Sequence, residues 1–198
     1  MNAFAPVYAF EQAVADYFGA RYAVAVDCCT HAVELCLRYQ QVLRTDCPTR
    51  THISIPFTLI KLNLAWSWNH SDWQNYYRFA GTNIIDAAAF WAANSYVSGT
   101  MMCLSFQQNK HLSLGRGGII LLDDAQAYQD LIKLSYDGRD RDSSWYTQPI
   151  SQVGYHYYMT PETASVGLDR LPEAIARPWT NWSSGRYVYL PDFPVFKQ

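Results

Sequence analysis

Gly99-Thr100-Met101-Met102-Cys103-Leu104-Ser105-Phe106-Gln107-Gln108-Asn109-Lys110 runs through His111-Leu112-Ser113-Leu114-Gly115-Arg116-Gly117-Gly118 into Ile119-Ile120-Leu121-Leu122. Two apolar runs of strand type flank a polar, glycine-rich turn that carries one lysine. Continuous apolar runs of this length suit strands covered on both faces, as in an α/β sheet. A lone lysine held between two such strands is placed to be desolvated, which makes its amine nucleophilic and suited to forming a Schiff base. The same residues also describe an ordinary turn lysine with its head in water.

Working outward, Asn83-Ile84-Ile85 predicts a buried strand ending on Asp86, a carboxylate at the C-terminal end of a strand, where open α/β sheets bind ligands. Asp86 also suits capping of the alanine-rich residues that follow. Upstream, Phe10, Ala13, Val14, Tyr17 and Phe18 form one helical stripe that Gly19 stops. Tyr22 to Val26 predicts a short buried strand, and Asp27-Cys28-Cys29-Thr30 turns it into a second helix. Strand, tight turn and helix form the geometry in which unpaired helix N–H groups meet a phosphate, with Thr30 adding a hydroxyl or merely capping the helix. His52 to Ile55 predicts a strand closed by Pro56, followed by a helix over Phe57 to Ala65. Downstream, Asp123-Asp124 starts a helix over Ala125 to Leu134, and Thr160-Pro161 opens another, running to Leu171.

Ser105-Phe106-x-x-Asn109-Lys110 with Gly115-x-Gly117-Gly118 resembles the Schiff-base segment of the DegT/DnrJ/EryC1/StrS sugar aminotransferases. These enzymes use pyridoxal phosphate on the fold-type-I aspartate-aminotransferase scaffold. The resemblance recurs in order from about Phe10 to Leu171, and it assigns expectations residue by residue. Lys110 is to carry the cofactor and shuttle the proton. Thr30 and Ser105 are to hold its phosphate, and Asp86 is to pair with its ring nitrogen. Cys29 stands at the family's phosphate-loop glycine, where it strains the backbone if a positive φ is required. Ala89 replaces the glutamine that bonds the ring hydroxyl. Phe57 and Leu59 stand in the segment that normally brings an aromatic near the ring, although packing in the core suits both. Val153-Gly154-Tyr155-His156 resembles a motif that reaches across a dimer interface, so His156 is to contact the other subunit's cofactor. An interface or surface histidine without a ligand is the alternative.

The expected fold is therefore a three-layer α/β/α sandwich with a mostly parallel sheet. Only Trp66 to Thr82 separates two predicted elements where the family carries several more, so the sheet is expected to be pruned. Residues 1–175 are expected to form the compact domain. Residues 176–198 are too few for the family's smaller second domain and are expected to form an irregular tail rich in aromatics and proline.

Composition bounds the partners. The 198 residues carry 15 basic and 17 acidic side chains, a formal charge of -2, which favours neither nucleic acid nor an anionic membrane. Aromatics make up 16%, including 15 Tyr and 7 Trp, enough to suggest surface covered by another subunit or lining a ligand cleft. The five cysteines lack C-x-x-C spacing, so reduced thiols in a cytoplasmic protein are expected, with no metal site. No signal peptide or membrane span is evident. The resemblance implies a homodimeric pyridoxal-phosphate-dependent aminotransferase moving an amino group from an amino acid, usually glutamate, to a keto-sugar, usually nucleotide-linked. Two other readings compete: a non-catalytic binding or regulatory descendant, and an aromatic-lined carbohydrate-binding protein.

Overall fold

The computed structural model describes residues 2–197. Helix α1 (Ala5–Phe18) ends where Gly19 turns left-handed at φ +77°, a conformation glycine adopts without steric cost. Strand β1 (Tyr22–Val26) and helix α2 (Cys29–Tyr39) follow, then β2 (Arg44–Pro48), α3 (Ser54–Lys61), β3 (Ala65–Asn69), β4 (Tyr77–Arg78) and β5 (Ile84–Asp86). Strands β6 (Met101–Ser105) and β7 (Gly118–Leu122) flank the lysine loop, and α4 (Ala125–Ser135) and α5 (Pro161–Ala176) complete the regular structure. Asp124 and Thr160 accept hydrogen bonds from the first turns of α4 and α5, capping them as their sequence predicts. Beyond α5 come three 3-10 turns, Ser184–Arg186, Leu190–Asp192 and Pro194–Phe196.

The main sheet has the order β1-β7-β6-β5-β4. Its strands divide their side chains between two cores. Ala23, Ala25, Met102, Leu104, Ile119 and Leu121 face α1 and α5. Val24, Val26, Met101, Cys103, Ile120 and Leu122 face α2 and α4. That alternation, apolar on both sides, makes the predicted three-layer sandwich. At the crossing of α1 and α5, a Cβ on Gly167 would come within 2.6 Å of the Phe10 ring, so the absent side chain sets how closely the helices approach.

The sheet is mixed, which corrects the expectation of a mostly parallel one. Only β5 and β6 pair in parallel; β1–β7, β6–β7 and β4–β5 are antiparallel. The reason is local: twelve residues join β6 to β7 without a crossover helix, so the chain can only return antiparallel. The strand predicted over 52–55 is also absent. Ser54 and Ile55 begin α3, and Pro56 sits in its first turn, where a missing N–H costs nothing. Helix α5 continues through Pro172 to Ala176, five residues past its predicted end, with Leu171 and Ala174 buried. The polar stretch between α3 and β5 supplies β3, which pairs in parallel with β2 as a separate two-stranded sheet, and β4 at the edge of the main one.

Candidate functional site

Strands β1, β5 and β6 run in the same direction, so their C-terminal ends open on the same side of the sheet. There Cys29, Thr30, Asp86, Ser105 and Lys110 line one cavity of about 180 Å³. Five of the six predicted site residues thus meet in one place. The sixth, His156, is absent from the lining. Its side chain is 68% exposed and its Nδ1 lies 2.8 Å from Asp137 Oδ2.

The lysine loop is folded by its own backbone. Phe106 N–H donates to the Gly117 carbonyl at 2.9 Å, Leu114 N–H to the Phe106 carbonyl at 2.8 Å, and Lys110 N–H to the Gln107 carbonyl at 2.8 Å. These bonds set the root of the Lys110 side chain. It is half-buried rather than fully desolvated, and among the described residues Nζ has no hydrogen bond or ion pair. At the end of the loop, Gly118 lets β7 lie directly against the entrance of α2. A Cβ there would sit 2.5 Å from both the Cys28 carbonyl carbon and the Cys29 nitrogen.

The entrance of α2 is open to the cavity. Its N-cap, Cys28, is extended and makes no side-chain cap, so the first-turn N–H groups stay available to an anion. Thr30 Oγ1 lies 2.8 Å from Ser54 Oγ, which in turn lies 2.8 Å from His52 Nδ1. The two hydroxyls extend the polar wall. Cys29 carries no backbone strain: it is the first residue of the helix and is not among the residues with positive φ. Burial pushes its thiol well up, so it is protonated and neutral.

Asp86 is 5% exposed, yet both oxygens are bonded. Tyr77 Oη donates to Oδ2 at 2.5 Å and Ala88 N–H to Oδ1 at 3.0 Å. Burial raises the Asp86 carboxyl above the usual range, against the pull of those two bonds and of the nearby Lys110 and His52. The spare lone pairs of a carboxylate still allow a further donor.

Around the mouth, Asp27 Oδ1 lies 2.6 Å from His31 Nδ1, and Arg116 Nη2 donates to Asp27 Oδ2 at 2.6 Å. Asp27, Cys28 and His31 bring ligand-type atoms within 4.8 Å of one another, a grouping that the cysteine spacing alone does not reveal. The Arg116 guanidinium already supplies a cation there. Sequence reasoning also missed His52, Ser54, Arg116 and Tyr77. His52 and Ser54 sat in a supposed strand, and Tyr77 in a stretch with no periodic signal. Phe57 and Leu59 do not line the cavity: Phe57 meets Phe196 of the C-terminal segment and Leu59 is in the core.

A lone amine, a buried carboxylate and an uncapped helix entrance beside two hydroxyls are the donor set that a phosphorylated pyridine aldehyde needs. The residues fit pyridoxal phosphate. They would hold it by its aldehyde, ring nitrogen and phosphate, and the group would supply an electron sink for amino-group transfer.

Proteins of known structure share the fold. The chain resembles the solved structure of AtS13 from Actinomadura melliaura, with 20% identity and a TM-score of 0.75, over 85% of this chain and 60% of that one. The sugar aminotransferase CalS13 from Micromonospora echinospora gives 16% identity and a TM-score of 0.72 over 86% and 61%. NtdA from Bacillus subtilis, solved with bound cofactor PMP, gives 14% and 0.69 over 86% and 48%. An uncharacterized protein of Methanocaldococcus jannaschii, MJ1066, is 31% identical over 84 residues, 38% of this chain and 22% of that protein. The chain thus spans less than two thirds of the length of each. The DegT/DnrJ/EryC1/StrS aminotransferase profile matches residues 4–58 and 94–178, stretches that hold Cys29, Thr30, Ser105, Lys110 and His156 while Asp86 falls between them. With most of its length matched, this chain belongs to the DegT/DnrJ/EryC1/StrS aminotransferase family, whose cofactor is pyridoxal phosphate.

Proposed function

We propose that this chain holds pyridoxal phosphate on Lys110 and moves an amino group from an amino acid, glutamate in the first instance, to a nucleotide-linked keto-sugar. The observation that carries the reading is the convergence of Lys110, Asp86, Thr30 and Ser105 on one cavity at the C-terminal ends of parallel-running strands. In this reading Thr30, Ser105 and the entrance of α2 bind the phosphate. Asp86, held by Tyr77, orients the ring nitrogen. Lys110, with no competing partner, moves the proton at its Nζ.

His156 belongs to the proposal too. Its ring is exposed while Nδ1 is held by Asp137, which leaves Nε2 available to a second copy of the chain, so a homodimer is expected. The five free cysteines fit a cytoplasmic setting, part of the same proposal. One observation favours the rival in which the cofactor binds without efficient turnover. Ala89 brings no side chain to the site, and its carbonyl accepts from Trp179 Nε1 at 3.0 Å.

The test is an absorbance spectrum with added pyridoxal phosphate, then borohydride reduction and peptide mapping. A yellow band with the reduced adduct on Lys110 is expected, lost in Lys110→Ala. An adduct spread over surface lysines, or none, overturns the reading. Added glutamate should then bleach the band if amino transfer proceeds.

A further inference from the structure

We infer that the C-terminal segment builds an oxyanion-binding subsite on the other side of Lys110, anchored by Arg186. A second cavity of about 240 Å³ lies between the lysine loop and this segment, and Lys110 lines both cavities. Asn109 and His111 from the loop and Trp179, Trp182 and Arg186 from the segment form much of its wall, which contains no carboxylate.

Trp182 organises the charges. The Arg186 guanidinium stands 4.4 Å from its ring centroid and Lys110 Nζ 5.6 Å from it. Two cations are thereby held at most about 10 Å apart. Among the described residues neither has an ion pair or a side-chain hydrogen bond, so both charges are available to a ligand. A guanidinium laid on an aromatic face keeps its N–H edge free for bidentate contact with a carboxylate or phosphate. Trp182 Nε1 is buried and has no hydrogen-bond partner among the described residues. His111 acts as a fixed wall: its Nε2 donates to the Ala174 carbonyl at 2.8 Å and its ring stacks on Trp91.

A guanidinium beside a concave, acid-free wall favours an anion, and Lys110 adds a second positive charge whenever its amine is not bound to the cofactor. The cleft leaves room for an amino-acid-sized anion or one end of a larger substrate. The chemistry is shared by the carboxylate of an amino donor and the phosphate of a nucleotide-linked sugar. That the ligand is a substrate rests on the cofactor reading of Lys110; the anion site itself does not.

The test titrates the full cofactor-free chain with glutarate and, separately, with uridine diphosphate, by calorimetry and tryptophan fluorescence. Saturable binding of at least one is expected, weakened about tenfold or more in Arg186→Ala and partly restored in Arg186→Lys. Circular dichroism confirms that the variants fold, as the exposure of Arg186 predicts. Binding of glutarate alone assigns the amino-donor carboxylate, and binding of uridine diphosphate alone assigns the phosphate. Absence of both, or binding indifferent to Arg186→Ala, overturns the subsite. Borohydride mapping of Lys110 runs in parallel. An adduct without anion binding removes only the subsite, and anion binding without an adduct removes only the cofactor reading.

Discussion

Tyr77 Oη donates to Asp86 Oδ2 at 2.5 Å while the same oxygen lies 2.8 Å from Thr51 Oγ1. An edge strand of two residues, β4, thus secures the carboxylate at the end of β5. Tyr77 and Asp86 are both buried, and burial pushes the phenol well up, with Asp86 raising it further, so it stays a donor. Removing a hydroxyl from a buried carboxylate leaves that oxygen unsatisfied. Tyr77→Phe is therefore expected to cost about 1–3 kcal/mol in urea unfolding. An unchanged midpoint would show that Asp86 does not depend on this bond.

Gly118 provides a test of how the cavity is built. An added Cβ would press on the backbone of Cys28 and Cys29 at 2.5 Å, and backbone cannot rotate out of the way. Gly118→Ala is expected to cost about 1–3 kcal/mol, the range of an overpacked core, and to reduce adduct formation at Lys110 by displacing the α2 entrance. Gly99→Ala offers a contrast, because nothing lies within 4 Å of its added Cβ, although its φ of +76° still carries some strain. Equal adduct yields in Gly118→Ala and the wild type would show that the entrance of α2 does not hold the cofactor.

Much of this arrangement is legible in the sequence because the inner strands are apolar on both faces. Met101 to Leu104 and Ile119 to Leu122 announce buried strands, and the turn between them positions Lys110. Strands β2 and β3 were not legible for the opposite reason. Arg44-Thr45-Asp46-Cys47-Pro48 has no apolar run, and it is paired only by a neighbour in which Trp66 and Trp68 alternate with small and polar residues. That alternation is a period-two signal, but it covers only five residues, and the apolar residues before it suggest a helix running to Ala65, whereas α3 stops at Lys61 and Ala65 opens β3. His52 to Ile55 misled because β-branched residues before a proline suggest a strand, whereas proline is equally at home in the first turn of a helix. Tyr77 and the C-terminal tryptophans reach the site only through tertiary packing, which no local pattern encodes.

The His31 imidazole makes stability depend on pH. Burial alone would lower its pKa, but the hydrogen bond to Asp27 and the nearby Cys28 outweigh this and raise it to about 9. The ring also stacks on Tyr157 at 3.6 Å, and Arg116 holds the far oxygen of Asp27. A histidine whose folded pKa exceeds its unfolded value of about 6.5 contributes stability fully below that value. The contribution is lost as pH rises through about 9. Urea unfolding should therefore show stability falling over that window, with a flatter profile in His31→Gln. Parallel profiles for the two proteins would rule out this linkage.

The most costly single substitution is expected outside the cavity lining, at Arg141. Its side chain is fully buried and donates to Glu11 Oε1 at 2.8 Å, the same oxygen that accepts from Ala25 N–H at 2.7 Å. The pair thereby ties α1 to β1 and to the loop between α4 and α5. Truncating one partner of a buried pair leaves the other charge unpaired, at a cost of about 3–5 kcal/mol. Burial already raises the Glu11 carboxyl, against the pull of Arg141 and the Ala25 N–H, and Glu11 Oε2 has no partner of its own. Arg141→Met should therefore be severe, and the double change Glu11→Gln with Arg141→Met less severe than the two single effects added, because the orphaned charge is gone. A double-mutant cycle by urea unfolding measures this. Simple additivity would mean that the pair holds nothing together and that the loop is fixed by its other contacts, among them Asp142 to Asn2 at 2.6 Å and to Tyr8.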